Sequence, residues 1–168
     1  MKNNVAVFLF CLLGMGLYGQ RGMKLGIHGG LPLNDFQEEA SIMLGLDAGY
    51  RFALGEVVDF GVMTGYIHAF PEKYHLEYGE NLPRIQFVPL AGSIRVWPSN
   101  SFSIGGDVGQ ALGVNEGNKG GFYYRPALAY LMGAQTEVNV SYTGIKLDEK
   151  SWNTVSIGIV YTIDFKAY

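Results

Sequence analysis

The sequence predicts an all-β chain: an eight-stranded antiparallel up-and-down transmembrane β-barrel. Three observations predict it. Eight segments alternate apolar residues with small or polar ones at the period of a strand. Most are near the roughly 9 to 11 residues that cross a membrane at a tilt. The charged residues within them gather on the face opposite the apolar one. The pattern is clearest from Asn153 to Phe165, where Val155, Ile157, Ile159, Tyr161, Ile163 and Phe165 share one face. Ser156, Gly158, Thr162 and Asp164 share the other, interrupted only by Val160. Among 168 residues, 24 Gly without a strict period, 10 Phe and 11 Tyr suit many short strands better than helices.

Residues 1–19 have the parts of a secretory signal. Lys2 is the basic n-region, Val5 to Leu17 is almost wholly apolar, and Leu17-Tyr18-Gly19 ends in the small residue a signal peptidase accepts. The apolar run falls short of the roughly 20 residues a spanning helix needs. Cleavage before Gln20 would leave residues 20–168 as the barrel domain. Cys11 lacks the small residues of a lipoprotein box before it and leaves with the signal, so the mature chain has no cysteine and no disulfide. Removing Lys2 leaves 11 basic against 15 acidic residues, a net charge of −4 with His neutral. That excludes the clustered basic footprint of a nucleic-acid-binding protein.

The expected strands are Met23 to Leu31, Ser41 to Phe52, Val57 to Phe70, Arg84 to Trp97, Phe102 to Leu112, Gly121 to Met132, Thr136 to Leu147 and Asn153 to Phe165. In the second, Ile42, Leu44, Leu46, Ala48, Tyr50 and Phe52 oppose Gly45, Asp47, Gly49 and Arg51. The fifth sets Phe102, Ile104 and Val108 against Ser103, Gly105, Asp107 and Gly109, and the seventh sets Val138, Val140 and Tyr142 against Glu137, Asn139, Ser141 and Thr143. The third is noisier, since Met63 and Ile67 share a face with Asp59, Gly61 and Gly65. Pro89 and Pro126 cannot donate to a ladder, which predicts a bulge or local break at each. Ala53 to Glu56, Pro98 to Ser101 and Gly133 to Gln135 are short connections; Pro32 to Ala40, Pro71 to Pro83, Gly113 to Gly120 and Asp148 to Trp152 are mostly longer. This alternation fits short periplasmic turns and longer outer loops, with both termini in the periplasm.

Alternation also fits a soluble, lipocalin-like barrel whose apolar face points inward. The charged face favours the membrane. Lys24, Arg51, Arg95 and Arg125 share it with Asp47, Asp59, Asp107, Glu137 and Asp164, with Gly or Ala between. A nearly balanced set of this kind suits a narrow lumen where charges pair and plug the interior. Tyr50, Phe52, Tyr66, Phe70, Trp97, Phe102, Tyr123, Tyr124, Tyr161 and Phe165 lie toward strand ends, as two interfacial girdles would.

The chain resembles the small outer-membrane β-barrel proteins of Bacteroidota, the porin-like or OmpA-like barrels. The residues that carry the resemblance are Lys24 to Leu33 (KLGIHGGLPL), Asp59 to Tyr66 (DFGVMTGY), Phe87 to Ser93 (FVPLAGS), Phe102 to Gly109 (FSIGGDVG) and Gly120 to Pro126 (GGFYYRP). The signal ending directly before a Gln also resembles that group. These motifs are architectural, so the resemblance implies fold and an outer-membrane location and carries no active site. The tail Lys166-Ala167-Tyr168 departs from the pattern, and Phe165 fits the terminal aromatic better.

Catalytic signals are weak. His28, His68 and His75 stand apart, no nucleophile elbow is present, and no metal-ligand spacing occurs. His28 reads as a hydrogen-bonded lumen filler more readily than as an acid/base group. The rim candidates Asp35, His68, His75 and Ser151 are scattered. The outer loops carry Asp35, Glu38, Glu39, Glu72, Glu77, Glu80, Glu116, Asp148 and Glu149 against Lys73, Lys119 and Lys150. They could hold divalent cations, bridge to lipopolysaccharide or meet an extracellular ligand; a solvated, self-repelling rim explains them more simply. The expectation is a non-enzymatic envelope protein without cofactor, contacting outer-membrane lipid, lipopolysaccharide and, during insertion, the barrel-assembly machinery. A small porin is the first alternative and a rim-sited lipid- or peptide-modifying enzyme the second.

Overall fold

The computed structural model describes residues 22–37, 40–71, 85–115, 117–148 and 150–164, with Asp164 described by its backbone alone. The signal segment, the acids Glu38, Glu39, Glu72, Glu77, Glu80, Glu116 and Glu149, Lys73, His75, Phe165 and the tail to Tyr168 lie outside the described residues. Eight strands run in chain order: β1 (Gly22–Leu33), β2 (Ala40–Leu54), β3 (Val58–Pro71), β4 (Ile85–Val96), β5 (Phe102–Gly113), β6 (Gly121–Leu131), β7 (Thr136–Lys146) and β8 (Ser151–Asp164). Each pairs antiparallel with the next, and β8 pairs with β1 to close the barrel. Closure removes the edges, so backbone N–H and C=O groups are satisfied without water.

The ladder register fixes the tilt. Along paired positions, Gly22 faces Arg51, then Gly61, Ser93, Asp107 and Arg125. On the same register the row continues through Thr143 and Thr154 to Pro32. One circuit therefore returns to β1 ten residues further on, from 22 to 32. A stagger of this size goes with strands inclined by roughly 35–45°. It also winds residues distant in sequence into one lumen-facing row.

The two faces separate as their residues dictate. Ile27, Leu46, Val62, Ile94, Leu128, Ile157 and many others stand exposed on the outside, Leu46 at 57% and Ile157 at 62%. Inside, Arg95, Asp107, Arg125 and Glu137 are buried. An exposed apolar belt around a charged interior is the inverse of a soluble barrel, so the lipocalin-like alternative falls. Tyr50, Phe52, Tyr66, Phe70, Trp97, Phe102, Tyr124 and Tyr161 are exposed or half-buried, in keeping with the girdles. Tyr123 is not: it is fully buried in the lumen, because its neighbour Tyr124 takes the outward position. The ring of Tyr124 lies over Gly144 of the adjacent strand, where any side chain would collide with it.

The prolines interrupt pairing without a bulge. Between β3 and β4 the pairs run Thr64–Leu90 and then Ile67–Phe87, and between β6 and β7 Tyr124–Gly144 and then Ala127–Ser141. Both ladders resume in the same register, so the missing proline N–H costs local bonds but no residue is inserted. Thr64 donates its hydroxyl to the Pro89 carbonyl at 2.9 Å, meeting one of the groups the break releases. A register shift does occur between Ala40 and Ile42, at the loop end of β2.

Loops at one end and short turns at the other follow the expected alternation, with one revision. Trp152 belongs to β8 and is buried, so the last outer connection shrinks to 147–150. Its indole is drawn inward by Phe36, at 4.9 Å between ring centroids, and by Phe87, at 6.1 Å.

The belt generates a depth-dependent expectation. Leu46→Arg, near mid-strand, should cost about 2–4 kcal/mol of folding free energy, and Leu54→Arg at the turn end about 0–1 kcal/mol. Urea unfolding in lipid vesicles, followed by the mobility difference between boiled and unboiled protein, measures both.

Candidate functional site

The lumen has two layers. Toward the short turns it holds charges, and toward the loops it holds an apolar cluster. The charged layer exists because β1, β2, β4, β5, β6 and β7 each place a long or acidic side chain on the inward face, between residues small enough to leave room. Gly45 shows the constraint: a Cβ there would occupy the space of the His28 ring.

Two groups of ion pairs fill the charged layer. In the first, Lys24 Nζ donates to Glu137 Oε1 at 2.5 Å and to Thr162 Oγ1 at 2.6 Å, and Arg51 Nη1 lies 3.6 Å from Glu137 Oε2. In the second, Asp107 is wholly buried and accepts from two guanidinium groups. Arg125 Nε donates to its Oδ2 at 2.9 Å, while Arg95 reaches Oδ1 at 3.2 Å and Oδ2 at 3.4 Å. Arg125 also donates from Nη1 to Asp47 Oδ2 at 2.8 Å. β2 and β6 stand four strands apart in an eight-stranded ring, so this contact is a strut across the lumen. His28 is buried with Nδ1 3.1 Å from Asp47 Oδ2, an ion-pair distance without hydrogen-bond alignment.

Of the sequence-predicted set, Lys24, Asp47, Arg51, Arg95, Asp107, Arg125 and Glu137 are brought together. Asp59 takes another partner: although it is paired with Arg95 across the ladder, its Oδ2 accepts from the Trp97 indole at 2.7 Å near the turn end. The backbone of Asp164 pairs with Gly22 at the same end.

Sorting the strands into an apolar and a charged face passes over a second, apolar layer of the lumen. Met43, Ile67, Phe87, Tyr123, Ile145 and Trp152 pack together inside the loop-end half, and Phe36 closes over them from a short 3-10 turn, Asn34–Phe36. Met63 and Ile67, which blur the third strand's pattern, belong to this cluster. Its signal in the sequence is a set of apolar residues in the register of the charges, confined to the strand halves nearest the long connections.

The rim candidates do not assemble. Asp35 Oδ2 accepts from the backbone N–H of Ser151 at 3.3 Å, and Lys150 stands over the Phe36 ring at 5.5 Å. His68 faces outward on β3, with Nδ1 3.0 Å from Gln86 Nε2 and its ring 4.6 Å from that of Phe70. Among the described residues, no group of three or more His, Cys, Asp or Glu could hold a metal ion.

These contacts predict unequal sensitivities. Asp107→Asn leaves two buried guanidinium groups short of a counter-charge and should lower stability by about 3–5 kcal/mol. Asp59→Asn keeps an acceptor for Trp97 and should cost under about 1.5 kcal/mol. Urea midpoints of the two variants in the same vesicles test the ranking.

No protein-family model and no curated protein matches the chain. Solved structures do. The outer membrane protein Ail of Yersinia pestis, in a phospholipid bilayer nanodisc, superposes with a TM-score of 0.62 at 14% identity, covering 86% of this chain and 99% of that one. The N-terminal β-barrel domain of Pseudomonas aeruginosa OprF gives 0.59 at 14% identity, with 86% and 99% covered. A de novo designed transmembrane β-barrel gives 0.54 at 13% identity, with 84% and 95% covered. At these identities the likeness speaks of fold. Together with the apolar belt and charged interior, it identifies an eight-stranded barrel of the outer-membrane type, built to sit in an outer membrane.

Proposed function

We propose that this chain is a non-conducting outer-membrane barrel whose role is structural and interactive: it holds a rigid plugged cylinder in the bilayer and presents its loops outside. In this reading residues 1–19 are a cleaved signal, residues 20–168 the mature barrel, and the finer kinship is with the small porin-like or OmpA-like barrels of Bacteroidota. Lipopolysaccharide and outer-membrane lipid surround it, the barrel-assembly machinery inserts it, and an extracellular ligand of the acidic loops is its partner.

The observation that carries the reading is the doubly filled lumen. An eight-stranded barrel is narrow enough for its own side chains to occupy. Here the Arg125–Asp47 strut crosses the charged layer, and Trp152, Phe87 and Tyr123 pack the layer above it. A porin needs a continuous aqueous path, and the apolar cluster opposes one. With the interior occupied, chemistry available to other molecules lies at the loops and the lipid-facing wall.

Purified full-length protein in a planar bilayer should give no resolved conductance steps; sustained steps would favour the porin. The interactive role is tested in cells by replacing residues 72–84 with a short Gly-Asn turn. The variant should keep its heat-dependent gel shift yet behave like the deletion strain in envelope-permeability assays. Full rescue by the shortened protein would sink the loop-mediated role.

A further inference from the structure

We infer that the lipid-facing wall of β8, β1 and β2 seats one acyl chain of a membrane glycerophospholipid, with the ester group of that chain held at Tyr66 and His68 on β3. A furrow of about 500 Å³ crosses this wall. Its two sides are neighbouring outward rows of the ladder. Ile157, Gly29 and Leu44 form the row nearer the loops; Val138, Ile159, Ile27 and Leu46 form the other. The volume falls within the roughly 300–1,000 Å³ of small-molecule sites.

Gly29 opens the furrow, because it leaves its row without a side chain between Leu44 and Ile157. Packing does not demand glycine there. An added Cβ would come no closer than 3.4 Å to Leu44 Cδ2, an ordinary contact, and the backbone is not left-handed. Gly45 and Gly105, by contrast, make room for His28 and Arg95 inside the barrel. A glycine in a strand that nothing inside requires marks a close approach from outside, and outside this wall is hydrocarbon.

The chemistry changes where the two rows cross onto β3. Leu44 pairs with His68 and Leu46 with Tyr66, so both sides of the furrow run from apolar into polar side chains. Gln86, opposite His68 on β4, donates from Nε2 to His68 Nδ1 at 3.0 Å, which places the imidazole proton on Nε2. Tyr66 Oη stands 3.5 Å from the same Nδ1, whose lone pair Gln86 has taken. The Tyr66 hydroxyl and the His68 Nε2–H are thus two donors at the end of an apolar slot. An ester carbonyl is an acceptor carried at the head of a hydrocarbon chain, and it meets both features. The stagger raises each row toward the loops from β8 to β3, so the polar end lies nearer the interface and the apolar end deeper in the bilayer.

The direction of the furrow selects the lipid. Rows perpendicular to the strands run about 50° from the barrel axis, so a chain lying in one leaves the direction of its neighbours. A glycerophospholipid can splay one of two chains in this way. Lipopolysaccharide, with many chains side by side on one sugar headgroup, cannot, and Tyr66, His68 and Gln86 offer its phosphates no fixed positive charge. The site is independent of the loop-mediated role and would survive its failure.

Native mass spectrometry of the full-length protein in detergent micelles tests it, with palmitoyl-oleoyl phosphatidylethanolamine and lipopolysaccharide offered in separate samples. Wild-type protein should keep one phosphatidylethanolamine per barrel. Gly29→Leu fills the furrow and should weaken that adduct by about tenfold or more. Tyr66→Phe removes one donor and should weaken it by about threefold to tenfold. Gly92→Leu makes the same change at an exposed glycine on β4, where an added Cβ meets nothing nearer than 3.9 Å, and should bind as wild type does. Heat-dependent mobility confirms folding of each variant, and where Gly29→Leu does not fold, Tyr66→Phe decides. Equal retention by wild type and a folded Gly29→Leu would mean ordinary surrounding lipid and overturn the site, as would no loss in Tyr66→Phe. An adduct with lipopolysaccharide alone, or a dimer lost in Gly29→Leu, would give the furrow another occupant and overturn it equally.

Discussion

Everything in this molecule depends on backbone hydrogen bonding in a medium without water. In hydrocarbon an unpaired N–H or C=O costs several kcal/mol, so a chain that crosses with strands must close on itself. The pairing of β1 with β8 over twelve positions, Gly22 to Leu33 against Asp164 to Asn153, is that closure. Once it is made, side chains must alternate between lipid and lumen. The prolines show how strictly the rule holds. Pro89 and Pro126 each interrupt a ladder, yet the register on both sides is unchanged, and Thr64 supplies a hydroxyl to the Pro89 carbonyl.

The same closure fixes the size of the interior and hence what can fill it. Eight strands with a ten-residue stagger leave room for side chains from opposite walls to touch, as Asp47 and Arg125 do. Long cations fit only where their neighbours are small. A Cβ at Gly105 would fall 2.6 Å from Arg95 Cδ, so the β5 wall is thinned beside Arg95. Glycine is therefore abundant in the strands despite its poor strand propensity, since packing outweighs intrinsic preference. Burial of so many charges is tolerable because they are shared. Asp107 serves two arginines, and Glu137 serves a lysine and an arginine.

How much of this the sequence disclosed follows from the same geometry. A period of two is local, and each of the eight strands was legible to within a few residues of its ends. Which face met lipid was legible too, because Asp47, Arg51, Asp107 and Glu137 all fall opposite the long apolar runs. Partners were not. That Arg125 meets Asp47, and not one of the other carboxylates, depends on stagger and curvature that no single strand encodes. Phe87, Tyr123 and Trp152 stand in the register of Arg95, Arg125 and Asp164, so alternation does turn them inward, but a pattern read as apolar-out against charged-in passes over them. Met63 and Ile67 were the visible trace of that second layer, in the register of Asp59 and out of register with the belt.

The order of the two layers constrains how the barrel can work. A charged layer alone could rearrange, because ion pairs in a wet lumen exchange partners at modest cost and could let ions pass. An apolar layer alone would seal but would specify its packing loosely. Stacked, they act in concert. The cluster around Trp152 excludes water from the loop end, and the dry boundary it creates strengthens every ion pair beneath it. Phe36 joins the seal to the rim, since it packs on Trp152 while the adjacent Asp35 holds the Ser151 backbone. The first connection and the plug are thus tied together through the Phe36–Trp152 contact.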